Sequence, residues 1–62
     1  MNYELSVLSM GRRIAWTTEH PQTAHKWFRF TAKYGRTIDT GSPVSLVSLT
    51  RDGAEIKSAA IV

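Results

Sequence analysis

The stretch Pro21-Gln22-Thr23-Ala24-His25-Lys26-Trp27-Phe28-Arg29-Phe30-Thr31-Ala32-Lys33-Tyr34-Gly35 decides how the rest of the chain is read. Proline is tolerated at a first helical position because its missing N–H would have had no partner there, and Thr18 or His20 stands where a cap is needed. No Gly or Pro interrupts the run before Gly35, which is placed to end a helix in the left-handed conformation. The spacing predicts one helix over 21–34. At 100° per residue Phe30, Thr23, Tyr34, Trp27, Thr31, Ala24, Phe28 and Ala32 fall on one side, and His25, Arg29, Gln22, Lys33 and Lys26 on the other. The apolar arc spans roughly 200°, wider than contact with one sheet requires. Trp27 and Phe28 read as its core, while Phe30 and Tyr34 lie at its border, where a ring can stack on a base or seal a dimer.

Upstream of this helix, Tyr3, Leu5 and Val7 alternate with Glu4 and Ser6, the period of a half-buried strand over 3–10. Gly11 supports a turn, and Ile14 and Trp16 alternate with Arg13, Ala15 and Thr17 as a returning strand. Downstream, residues 35–43 are rich in turn formers with only Ile38 to bury. Val44–Thr50 is rich in β-branched and aliphatic residues, and Asp52-Gly53 is a strong two-residue turn signal. A last strand then alternates Ile56, Ser58, Ala60 and Val62 with Glu55, Lys57 and Ala59. The expected fold class is α+β, order ββαββ, with one helix packed on one face of a small antiparallel sheet of about four strands.

Sixty-two residues, 42% of them apolar and spread along the whole chain, make one domain over 1–62 with one small core. There is no cysteine, so disulfides, thiolate zinc sites and thiol nucleophiles are excluded together. A reducing, cytoplasmic setting is expected, with no membrane partner, because the apolar runs are far short of ~20 residues and Asn2 and Glu4 stand where a leader would be basic. An unstapled core this small, beside so wide an aromatic arc, also leads to the expectation of a homodimer.

The net charge is +3, and its placement says more than its size. Arg12 and Arg13 balance Glu4 and Glu19, and Arg51 and Lys57 meet Asp39, Asp52 and Glu55, whereas Lys26, Arg29, Lys33 and Arg36 occur with no acid among them. A solvated face usually mixes signs, and the acids at i±4 that would pair these cations are absent. Two readings compete: a helix surface whose cations favour the C-terminal end of the dipole, and a stripe that contacts phosphate. Arg12 and Arg13, at the first hairpin turn near Trp16, form a second basic point on the latter reading.

No catalytic constellation emerges. His20 and His25 are five apart where one helix face needs three or four, and no Cys or pair of acids completes a metal site. No serine lies in a Gly-x-Ser-x-Gly turn, and the glycines form no nucleotide-binding pattern. The expectation is a small non-catalytic nucleic-acid-binding domain, possessing no cofactor, with DNA ahead of RNA as its partner and Arg12, Arg13, Lys26, Arg29, Lys33 and Arg36 on phosphates. The competing expectation is a protein-interaction module, an inhibitor or adaptor, that uses an open sheet face or edge strand. A mimic of nucleic acid is disfavoured, since that surface needs dense acids and the chain has five.

Overall fold

Two turns that demand positive φ frame the sheet. Met10 (φ 53°) and Gly11 (φ 77°) join β1 (Tyr3–Ser9) to β2 (Arg12–Thr18), and Asp52 (φ 51°) and Gly53 (φ 87°) join β3 (Leu46–Arg51) to β4 (Ala54–Ala60). Both central residues of a two-residue hairpin loop take φ > 0 when the turn must follow the right-handed twist of its strands. Asp-Gly suits that geometry; Met10 takes it despite its Cβ. The Asp52 tip is also clasped by the chain start, since its N–H donates to the Asn2 carbonyl (2.8 Å) and its carboxylate accepts from the Asn2 N–H (2.8 Å).

The structure is a computed structural model that describes residues 1–61. Its order is ββαββ, with strands β2-β1-β3-β4 in one antiparallel sheet and helix α1 (Pro21–Tyr34) packed against it. The helix bounds coincide with those expected from Pro21 and Gly35. No side chain caps its first turn; the Thr18 hydroxyl instead accepts the N–H of His20 (3.2 Å) just outside it. At the other end Gly35 (φ 63°) donates its N–H to the Thr31 carbonyl (2.8 Å). A Cβ on Gly35 would lie 3.0 Å from Ile61 Cγ2, so both backbone and packing favour glycine there.

Strand register sorts the side chains into two layers. Trp16, Leu5, Leu49 and Lys57 lie in one row on the helix side, and Ile14, Val7, Val47 and Ala59 in the next. Leu5, Val7, Val47 and Leu49 are fully buried, as are Tyr3 and Val44, and α1 brings the small side chains of Ala24 and Thr31 against them. Small residues at that contact let the helix approach closely while Trp27 and Phe28, both half-buried, reach down to either side. Phe28 lies toward β4, because Lys57 Nζ is 5.7 Å from its ring centroid.

Several expectations need correction. The strand expected from Val44 starts at Leu46; Val44 is instead a buried anchor whose N–H donates to the Gly35 carbonyl (2.8 Å). In the 35–43 connection Thr37, not Ile38, is the fully buried residue: its hydroxyl accepts the Ser42 N–H (3.0 Å) and its own N–H donates to the Ser42 carbonyl (2.9 Å), so a polar side chain is buried with its bonds satisfied. Asp39 in this turn accepts the Thr40 N–H, which, followed by the Thr37 hydroxyl, holds its carboxyl below the usual aspartate range. The last strand shows the largest difference. Lys57 stands opposite Leu49 and Glu55 opposite Thr50, so Ile56 is an extra, bulged residue and the alternation changes face there. Lys57 and Ala59 share the face covered by α1, while Glu55, Ser58 and Ala60 share the other; Val62 lies outside the described residues.

Candidate nucleic-acid interface

The exposed side of α1 carries Gln22, Lys26, Arg29 and Lys33, all open to solvent. Residues 20–38 contain no carboxylate, so these cations face water without an acid on their own helix. Lys33 sits in the last turn, where the negative end of the helix dipole favours it. Its Nζ is also 5.4 Å from the centroid of the Tyr34 ring.

Between α1 and β4 runs an open groove of about 560 Å³ lined by Pro21, Gln22, His25, Lys26, Arg29 and Lys57. Three cations therefore border one concavity whose lining includes no acid, and a concave low-dielectric wall concentrates the field of such a set. Lys57 was not among the expected contacts. It stands opposite Leu49 and so faces α1; without the bulge at Ile56 the residue opposite Thr50 would be Ile56, Glu55 would share the face of Lys57, and a carboxylate would lie on the groove side. The bulge sends Glu55 to the far side of the sheet and leaves Lys57 beside Arg29 and Lys26.

His25 departs from the outer position that the helical wheel gave it. Its ring is half-buried against Tyr3 (centroids 6.1 Å apart, planes at 61°), and Nδ1 is enclosed with no hydrogen-bond partner among the described residues. At the margin of the helix an imidazole long enough to reach the sheet gains aromatic contact by turning inward. Phe30 and Tyr34 do the reverse. They remain 40% and 57% exposed, with ring centroids 5.0 Å apart, as a small aromatic surface on the flank away from Lys57.

The other expected contacts do not form one surface. Arg12 pairs with Ser9 and lies on the helix side of the sheet at its hairpin end, whereas Arg13 pairs with Leu8 and lies on the opposite face. Successive strand residues must point to opposite faces, so the two arginines cannot serve one ligand surface. Arg13 instead reaches across its own face to Ser6, donating from Nη2 to Oγ (3.4 Å). Arg36 does not extend the helical row: its Nη1 donates to the Gly41 carbonyl (3.0 Å) and holds the 35–43 turn, which also carries an Arg36–Pro43 bridge. The structure thus brings together Lys26, Arg29 and Lys57 in one groove, with Lys33 a turn farther along the same helix face and Arg12 on the opposite edge strand, β2, of the helix-covered side.

Among the described residues no three His, Asp or Glu side chains are grouped closely enough to hold a metal ion, and no helix is long and apolar enough to cross a membrane. Comparison with known proteins gives no match, whether to a protein-family model, a curated protein or a solved structure.

Proposed function

We propose that this chain is a small non-catalytic nucleic-acid-binding domain that sets the outer side of α1 against the phosphate backbone of a duplex. The observation that carries this reading is the carboxylate-free surface made by Lys26, Arg29, Lys33 and Lys57 from two separate elements. Lysine and arginine so placed neutralise phosphates and release condensed counterions, an attraction that does not depend on base sequence. Lys26, Arg29 and Lys57 take phosphates along the groove, and Lys33 takes one nearer the helix end. Arg12 is a peripheral contact. Arg13 and Arg36 drop out of the primary set because of the face and the turn in which they are held.

DNA is the preferred duplex. A fourteen-residue helix is about 21 Å long, and the B-form major groove, roughly 12 Å wide, admits a helix, whereas the major groove of A-form RNA is too narrow. A cytoplasmic setting, in contact with nucleic acid, belongs to the same proposal. A second reading, a protein-interaction module, is favoured by one separate observation, the sheet face on which no other described element packs.

The test is a titration of labelled duplex DNA at several salt concentrations. Four phosphate contacts give a slope of log affinity against log salt of about −3.6, at about 0.9 per phosphate. Arg29→Gln and Lys57→Gln should each reduce that slope by about 1 and weaken binding to different sequences almost equally. Absence of salt-dependent binding by the wild-type chain at low ionic strength would overturn the proposal.

A further inference from the structure

The sheet face turned away from α1 is built on a different chemistry from the rest of the molecule. Its central row is Ala15, Ser6, Ser48 and Ser58, with Leu8, Leu46 and Ala60 across the end nearest the first hairpin. Among the described residues no other element packs on this face, although Ser6 is buried and accepts from Arg13 (3.4 Å); Leu46 is 49% exposed, and a groove of about 460 Å³ runs over these serines. Small side chains on a central surface allow a second layer to approach closely, and Leu46 supplies an apolar knob for it.

Two charges mark opposite corners of this face. Arg13 lies on the edge strand β2 in the row Arg13, Leu8, Leu46, Ala60. Glu55 lies on the other edge strand, β4, in the row Thr17, Glu4, Thr50, Glu55, at the far end of the strands. Both line the groove, and both are exposed. Four strands about 4.8 Å apart measure roughly 14 Å across, and three rows about 6.8 Å apart measure roughly 14 Å along the strands. The face is therefore nearly square. A square turned over about its own diagonal lands on itself with its strands crossed at a right angle, one of the two ways in which sheets pack face to face. Of the two diagonals, the one through Ala60 and Thr17 exchanges the Arg13 corner with the Glu55 corner.

From this geometry we propose that the open face docks a second copy of the chain. The two sheets cross at about 90° around a two-fold axis that passes over Ala60. Arg13 of each copy meets Glu55 of the other, and Leu46 of each lies along the small residues of the other's β4. The contact is self-complementary, as a two-fold interface must be. The face and its rim cover about 400 Å² per copy, about 800 Å² in all, below the ~1,200 Å² at which stable interfaces begin. The dimer is accordingly weak, with dissociation in the micromolar range or above, and the two charge pairs set its geometry. This inference uses no residue of the α1 surface and stands apart from the nucleic-acid reading.

Sedimentation of the chain from about 1 to 500 µM reads the proposal directly. Wild type should pass from monomer to dimer across that range. Arg13→Glu alone and Glu55→Arg alone should each weaken association at least tenfold, because each homodimer then opposes two like-charged pairs. An equimolar mixture of the two variants should dimerise again, since in the mixed pair both corners are of opposite charge, and the double variant should self-associate like wild type. Circular dichroism on each variant confirms that it is folded before it is scored. A wild-type chain monomeric at 500 µM would overturn the proposal, as would single variants that dimerise undiminished, which points to pairing by an edge strand, or a mixture that stays monomeric.

Discussion

The same four strands present two unlike surfaces. On β1 the residues toward α1 are Tyr3, Leu5 and Val7, and those away from it are Glu4, Ser6 and Leu8; on β3 the pairs are Val47 and Leu49 against Leu46, Ser48 and Thr50. Burial follows the partner, not the strand. Leu49 is fully enclosed, while Leu46, three residues away on the same strand, is half open to water. Backbone pairing, which lies in the plane of the sheet, serves both faces alike, whereas the apolar stabilisation comes from one face only.

The largest effect is expected of Leu49→Ala. Deleting a fully buried leucine opposite Leu5 should cost about 2–5 kcal/mol, a large part of the ~5–15 kcal/mol that holds a typical domain together, and should leave much of the protein unfolded at ambient temperature. Chemical denaturation followed by tryptophan fluorescence measures it. A loss under 1 kcal/mol would mean that the covered face is not the source of stability.

A smaller effect of opposite sign is expected at Thr31, which with His25 carries an unpartnered polar atom on the covered side. It is fully buried, and its Oγ1 has no hydrogen-bond partner among the described residues. Thr31→Val keeps the shape, removes an unsatisfied hydroxyl and should raise stability by about 1 kcal/mol. Destabilisation by that amount would reveal a partner for the hydroxyl, such as an enclosed water.

The smallest effect is expected at Leu46→Ala, within about 0.5 kcal/mol when the protein is dilute enough to be monomeric. Equality with Leu49→Ala in a dilute melt would erase the distinction between the faces. A cost that emerges only as concentration rises would sharpen it, placing the value of Leu46 in association.

Much of this architecture was legible in the sequence. Pro21 and Gly35 bound α1 at the residues where the structure begins and ends it, and the Asp52-Gly53 signal falls at a hairpin tip. The order ββαββ follows from them. The layer to which each residue of β4 belongs was not legible, because a single bulged residue, Ile56, changes the parity of everything beyond it and no local signal marks it. Lys57 was missed as a member of the basic surface because in sequence it is offset by nearby acids, Glu55 among them, and only the bulge puts Glu55 on the other face. The grouping of Arg12 with Arg13 was a different kind of error: once both are in a strand, alternation alone separates them. Arg36 and Thr37 were misjudged because the connection after α1 folds on its own hydrogen bonds, which composition does not disclose.

The position of α1 on one side of the sheet and of the bare face on the other has a consequence for how many partners a single assembly can hold. If two copies join back to back through their bare faces, their helices point away from each other and lie crosswise. Such a pair cannot lay both helices into successive turns of one duplex, as side-by-side dimers of recognition helices do. It is a connector: its two ends grip separate segments, and the saturated complex contains two segments per pair. A weak link between two salt-sensitive grips gives reversible cross-linking, so added DNA should first build networks and then, in excess, disperse them as each copy takes a segment of its own.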